Sequence, residues 1–226
     1  MIHSTDWEND IYGRGLALNR WPFTELVSDM IHATRGRDLA STDVLELGCG
    51  AGNNLRFVLD HGCRAAGIDG SPSAIRVARE RLGPVGGDRC DLRVGDVAAL
   101  PWPDESQDFV LDRGTLTCLR LDALPRALAE VHRVLRPGGR FFSYHLFGMA
   151  SSDRQFGIEV APQTFEGFGR GRFQDAPPIT FFDRGTIRDL WRRFRIDSLT
   201  RHELTREHED FVEERFSVKA TRMPLQ

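Results

Sequence analysis

Apolar positions along this chain change period several times, and each change marks an element. From Trp21-Pro22 to about Arg35, Phe23, Leu26, Val27, Met30 and Ile31 recur at helical spacing, with Pro22 suited to a first turn. A regular alternation follows. "DVLEL" reads as a strand, "AGNNLRFVLDHG" as a helix stopped at Gly62, and "RAAGID" as a second strand. "SPSAIRVARERLG" is a helix with Ser71 as cap and Pro72 at its first position. "CDLRVGDV" and "DFVLDRG" are strands, "LDALPRALAEVHRVLRPGG" a helix closed by Pro137 and a glycine pair, and "RFFSYHLFG" a fifth strand. This rhythm predicts an α/β fold of right-handed βαβ units: a doubly wound, mostly parallel sheet with helices on both faces.

Residues 147–182 break the rhythm. They are rich in glycine and proline, with Phe156, Phe165, Phe168 and Phe173 dispersed among them. A structureless segment that long predicts a lid or substrate loop. Beyond it, "DRGTIRDLWRRF" reads as a helix, and "RIDSLTRHEL" with "DFVEERFSVKAT" as an antiparallel hairpin ending a seven-stranded sheet. Residues 1–226 thus read as one domain: an N-terminal helical lid (1–36), a ligand-binding core (37–146), a substrate insertion (147–182) and a C-terminal helix and hairpin (183–226).

Composition narrows the class. Hydrophobic residues at 40% and charged residues at 28% suit a soluble domain with a sizeable core. No run approaches ~18 apolar residues, so no membrane span is expected. "MIHSTDWENDIYGRG" lacks a basic region followed by an apolar core, so it does not read as a signal peptide, and the expectation is a cytoplasmic protein. A net charge of −3 does not advertise nucleic acid. The densest arginine stretch, "RDLWRRFRIDSLTRHELTRE", is interleaved with Asp189, Asp197, Glu203 and Glu207 and reads as a solvated mixed-charge surface. Cysteines 49, 63, 90 and 118 lack zinc spacing, so neither a metal site nor a disulfide framework is expected.

The chemistry begins at "VLELGCGAGNN", where a strand runs into a loop with Gly48, Gly50 and Gly52. In an open parallel sheet such a loop lies at the ligand crevice. A dinucleotide site needs G-x-G-x-x-G, whereas this chain has G-x-G-x-G with Asn53 at the place of the last glycine, and the helix start offers no lysine or arginine for a phosphate. Asp69 ends the second strand, 17 residues beyond Gly52, placed to accept both hydroxyls of a ribose. Asp96 ends the third strand, placed to receive the exocyclic amine of an adenine. Glu46, just before the loop, would repel a pyrophosphate and favour a sulfonium or ammonium. Three carboxylates around one crevice point to a positively charged adenosine ligand, the character of S-adenosylmethionine.

"VLELGCGAGNN", "GIDGSP", "VGDVAALPWPDESQDFVLDRGTL" and "LRPGGRFF" resemble, in order, the signature segments of the Rossmann-like class I S-adenosylmethionine-dependent methyltransferases. The resemblance covers residues 40–146 in detail and the tail to 221 in its helix–strand–strand pattern. It implies that Gly48, Cys49 and Gly50 approach the methionine part through backbone, that Glu46 orients the loop or reaches the ligand through water, and that Asn54 belongs to the cofactor site. It further implies that Asp69 binds the ribose, that the adenine lies beside Gly70 and Ser71 with Asp96 and Val97 at its edge, and that Asp112 and Arg113 line the methionine amino group and the methyl-transfer gap. S-adenosylhomocysteine is the implied product.

Methyl transfer is an in-line displacement, so the protein's main task is orientation at ~3 Å, worth several kcal/mol. His145 ends the fifth strand before the proposed lid, and with an ordinary pKa of ~6.5 it is a candidate base or substrate contact. Tyr144 alternates with it, so one of the two faces away from the site. His132 reads as surface or packing. Tyr12, Arg20 and Trp21 are candidates to fold over the ligand, with the aromatics near the sulfonium and Arg20 on the methionine carboxylate. "DRGT" after the fourth strand departs from the Asn/Asp-Pro-Pro-aromatic tetrad of methyltransferases acting on adenine-type or glutamine amides. The expectation is therefore a small-molecule acceptor methylated on oxygen or nitrogen by a monomer or homodimer. An RNA or protein methyltransferase, an NAD-dependent oxidoreductase and a non-catalytic binding protein are the alternatives.

Overall fold

The computed structural model describes residues 8, 19–174, 176–205 and 211–223. Seven strands form the main sheet: β1 (Asp43–Leu47), β2 (Arg64–Asp69), β3 (Cys90–Val94), β4 (Gln107–Arg113), β5 (Leu135–Phe147), β9 (Phe194–Thr205) and β10 (Val212–Arg222). Their order is β3-β2-β1-β4-β5-β10-β9. β1 pairs in parallel with both β2 and β4, so the winding reverses there and a crevice opens beyond their carboxyl ends. β10 runs antiparallel between β5 and β9, which is the hairpin that the tail predicts.

The strands are apolar on both faces because helices cover both. Phe141 and Phe142 show the alternation. Phe141 packs with α4 (Leu124–Val134) and α5 (Arg184–Leu190) through Leu128, Val131, Ile187 and a stacked Trp191 at 6.0 Å. Phe142 joins Phe109 and Tyr144 on the other face, against α1 (Thr24–Ala33), α2 (Asn53–Asp60) and α3 (Pro72–Gly86). Among the described residues no helix is long and apolar enough to cross a membrane.

Three expectations are corrected. Helix α1 starts at Thr24 with Phe23 as an extended cap, so Pro22 precedes the helix instead of entering its first turn. The Phe23 N–H is taken by Asn54 Oδ1 at 2.9 Å, a tertiary bond that fixes the start. The segment after α4 does not close the helix as "RPGG" suggested: β5 begins at Leu135, which pairs with Gln107 before the ladder resumes at Arg140.

The third correction concerns residues 147–182, which are a folded cap and not a structureless loop. β6 (Ile158–Ala161), β7 (Thr164–Glu166) and β8 (Ile179–Thr180) form a small antiparallel sheet. The dispersed phenylalanines are its core: Phe165, Phe168, Phe173 and Phe181 bury together against Phe147. Thr180 Oγ1 donates to Leu119 O at 2.6 Å and Thr117 Oγ1 to Thr180 O at 2.8 Å, tying the cap to the turn after β4.

Candidate active site

Beyond β1 the chain turns through three left-handed glycines, Gly48, Gly50 and Gly52, with φ of +57°, +52° and +79°. A Cβ at Gly48 would lie 2.0 Å from Thr115 Oγ1, and one at Gly52 2.7 Å from Leu82 Cδ1. Both the sense of the turn and the space it crosses therefore require glycine. Cys49 is buried between them, its N–H on Ile68 O at 3.0 Å, and burial pushes its thiol well above the ordinary range.

Asp69 is clamped by both neighbouring loops. Gly50 N–H reaches its Oδ2 at 2.9 Å and Ser71 N–H its Oδ1 at 2.8 Å. Ser71 caps α3 by accepting Ala74 N–H at 3.0 Å, and Gly70 beside it is exposed. Asp96 Oδ1 takes Ala98 N–H at 2.8 Å, bracing the turn after β3 with Val97 buried next to it. Glu8, which no local pattern singled out, rests its carboxylate on Ser71 Oγ and on Ser73 N–H and Oγ, at 3.1 and 2.6 Å for the latter two.

Glu46 is 2% exposed. Its Oε1 accepts Asn54 Nδ2–H at 2.6 Å, while among the described residues Oε2 has no hydrogen-bond partner. Burial, with Asp112 and Asp69 adding to it, pushes the carboxyl up to about 8, so it is held protonated at neutral pH. Asn54 continues the relay to Phe23 N–H, and Asn53 Nδ2 donates to Trp21 O at 2.9 Å. The start of α2 thus fastens residues 21–23 to the loop.

Asp112 is wholly buried. Thr115 and Leu116 N–H reach its Oδ1 at 2.9 and 3.2 Å, and Ser143 Oγ its Oδ2 at 2.6 Å. Burial outweighs these bonds and raises it to about 6. Its carboxylate lies buried beneath the turn after β4. Arg113, next along, is exposed, with its guanidinium 5.4 Å over the Phe23 ring.

His145 departs from its expected role as a base of ordinary pKa. Its Nε2 lies 2.8 Å from Arg215 Nη1. An arginine only donates, so Nε2 accepts and the ring proton sits on Nδ1. Burial, together with Arg113, Arg215 and Arg172, depresses the imidazole to about 3. It is a fixed neutral ring, edge-on to Phe23 at 4.8 Å. Tyr144 faces the other way, its hydroxyl on Asp29 at 2.7 Å, as the alternation requires. His132 packs against Phe194 at 5.4 Å.

Of the N-terminal candidates, one is placed differently from expectation. Trp21 is 78% exposed and contributes a carbonyl, not a ring. Arg20 lines a cavity of about 220 Å³ with Gly52, Asn53, Arg56 and Arg81. The start of α2 therefore does face arginines, two of them brought from elsewhere in the chain. Tyr12 lies outside the described residues.

The donor chemistry fits these residues: a glycine cradle that side chains would fill, an orphaned buried carboxyl oxygen, and an acid held at the end of β2. Residues 45–143 match the family described as a methyltransferase domain. The demethylmenaquinone methyltransferase of Tropheryma whipplei is 37% identical over 102 residues, 45% of this chain and 40% of that protein. The matched stretches span 33% to 57% of the first curated relatives. A S-adenosylmethionine-dependent methyltransferase from Methanosarcina mazei shares the fold at TM-score 0.69 and 22% identity, covering 86% of this chain and 97% of that one. So does the 1,6-didemethyltoxoflavin-N1-methyltransferase of Burkholderia thailandensis, solved with S-adenosylhomocysteine, at TM-score 0.67 and 20% identity over 97% and 85% of the two chains. Residues 45–143 thus carry the match to a methyltransferase domain, and the glycine cradle, the clamped acid and the strand order agree with it.

Proposed function

We propose that this protein is a cytoplasmic enzyme, monomeric or homodimeric, that methylates an oxygen or nitrogen of a small-molecule acceptor by in-line displacement. S-adenosylmethionine, when bound, supplies a methyl group on a positively charged sulfur. The observation that carries the reading is the pairing of Asp69, fixed by Gly50 and Ser71, with the partnerless Oε2 of buried Glu46. Asp69 binds the ribose hydroxyls. Gly70 and Ser71 flank the adenine, with Asp96 and Val97 at its edge. Gly48, Cys49 and Gly50 offer backbone to the methionine part, Asn54 holds Glu46 toward it, and Arg20 serves its carboxylate. A cation arriving above Glu46 favours the carboxylate form, so binding releases a proton.

A small acceptor is favoured by the cap, whose phenylalanine core closes over the β5 end, and by a net charge of −3 that offers no general attraction for nucleic acid. The didemethyltoxoflavin acceptor of one structural neighbour is of this size. Calorimetry with S-adenosylmethionine, S-adenosylhomocysteine and NADH tests the donor. The expected result is micromolar binding of the first two only; binding of NADH alone overturns the reading.

A further inference from the structure

We propose that the cap carries a second ligand site, a cavity outside the donor crevice in which Arg154 binds the carboxylate of a small organic acid. The inference goes beyond the methyltransferase reading and does not depend on it.

The turn leading from β5 into β6 borders a cavity of about 470 Å³. That volume falls within the roughly 300–1,000 Å³ of small-molecule sites. Ser151, Ser152, Arg154 and Gln155 line it together with Phe165 of β7, and no residue assigned to the donor is among its walls. Two bonds to β10 fix its place. Ala150 N–H reaches Glu214 Oε2 at 2.8 Å, and Ser152 Oγ accepts Val212 N–H at 2.9 Å. The cavity therefore sits on the β10 side of β5, whereas the glycine cradle follows β1, two strands away on the other side.

Arg154 supplies the charge of this lining. Its guanidinium lies over the Phe165 ring at 5.6 Å. Stacking engages the flat face of the group and leaves its in-plane N–H donors unspent. Among the described residues these donors have no hydrogen-bond or ion-pair partner, and Nε is shut away from solvent without one.

The neighbouring acids are committed elsewhere. Asp153 is buried and turns to Arg172 at 3.2 Å and to Ser151 Oγ at 3.3 Å. Glu214, behind Ala150, meets Arg201. Glu159, opposite Phe165 in the β6–β7 ladder, accepts Gln163 N–H at 3.0 Å. Beside the guanidinium, Ser152 keeps its own O–H to donate, and Gln155 brings an exposed carboxamide.

A carboxylate matches this set. Its two oxygens fit the guanidinium fork side by side, and one negative charge balances one positive. A phosphate dianion would leave the cavity with excess negative charge. Phe165 joins the site to the cap core, its ring 5.5 Å from Phe181, which lies 6.4 Å from Phe147 at the end of β5.

The test follows the Arg154 guanidinium by NMR in the full chain, labelled at its arginine nitrogens, during titration with benzoate, hexanoate, their amides and inorganic phosphate. At least one acid should give a saturable shift with a Kd of about 1 mM or tighter, its amide binding about tenfold more weakly. Saturation transfer to the probe should show binding abolished in Arg154→Gln and weakened about fivefold in Arg154→Lys, which keeps the charge without the fork. Saturating S-adenosylhomocysteine should leave the acid bound, and both variants should bind S-adenosylhomocysteine within about twofold of wild type. Equal binding of acid and amide, no shift up to ~50 mM of either acid, or tighter binding of phosphate than of both acids overturns the proposal. So does acid binding that survives in Arg154→Gln, displacement of the acid by S-adenosylhomocysteine, or loss of S-adenosylhomocysteine binding in Arg154→Lys. A wild-type chain that ignores S-adenosylhomocysteine yet takes up the acid would remove the donor reading and leave this site standing.

Discussion

The donor end and the acceptor end proposed for the crevice are made of different materials. Gly48 to Gly52, Asp69 and Ser71 build the donor end largely from backbone N–H groups and short turns, all within one βαβ unit. Phe23, Arg113, His145, Arg172 and Arg215 gather at the β4–β5 end from the start of α1, β4, β5, the cap and β10. A backbone-built site tolerates few sequences, because only glycine fits its turns. A side-chain site gathered from the whole chain can be rewritten one residue at a time.

The contrast is sharpest at the glycines. Gly48→Ala places a methyl on Thr115 at a positive φ, and about 3 kcal/mol or more of stability should be lost along with donor binding. Gly114→Ala, also at positive φ but with its nearest neighbour, His145 Cβ, 3.9 Å away, should cost only about 1 kcal/mol. Urea melts of the two variants make the comparison, and equal losses would break it.

The cap separates the ends in another way. Phe181 is wholly buried among Phe165, Phe168 and Phe173, so Phe181→Ala should destabilise by about 3 kcal/mol. Acceptor KM should rise while affinity for S-adenosylhomocysteine stays within about twofold of wild type. At the donor end, Asp69→Ala should weaken S-adenosylmethionine binding about tenfold to a hundredfold, read by calorimetry, and leave the cap intact.

The smallest effect is a pH slope. Glu46 is raised to about 8 in the folded chain and returns to the ordinary carboxylate range when unfolded. The folded state therefore binds the extra proton between those values. Stability of the ligand-free protein should be greatest below pH ~4.5 as far as this group is concerned, and decline as pH rises through about 8. Glu46→Gln should flatten that slope in thermal melts taken from pH 6 to 9. Donor affinity should climb over the same range in the wild type only.

What could be read from residue order follows the same division. The βαβ rhythm, the glycine cradle and Asp69 were legible because local spacing and backbone sterics dictate them. The cap's sheet was not: its strands are short, and Phe165, Phe168 and Phe173 read as scattered until Phe181 and Ile179 return to pack on them. Trp21 looked like a lid ring, but Asn53 captures its carbonyl and leaves the ring in solvent. His145 looked like a base because residue type carries no field. Only the fold brings Arg113, Arg172 and Arg215 around it. Glu8 reaches Ser71 across 63 positions, a distance no periodicity reports.

The antiparallel β10 lies inside the sheet although it follows the other six strands in chain order. Until Val212–Arg222 emerges from the ribosome, β5 carries an open edge of unpaired amides flanked by Phe141 and Phe142, a template for sticking to other chains. Docking of that strand seals the edge and delivers Arg215 to His145 in one event. A nascent chain can thus shape the glycine cradle early, while the surroundings of His145 are complete only once that strand has docked.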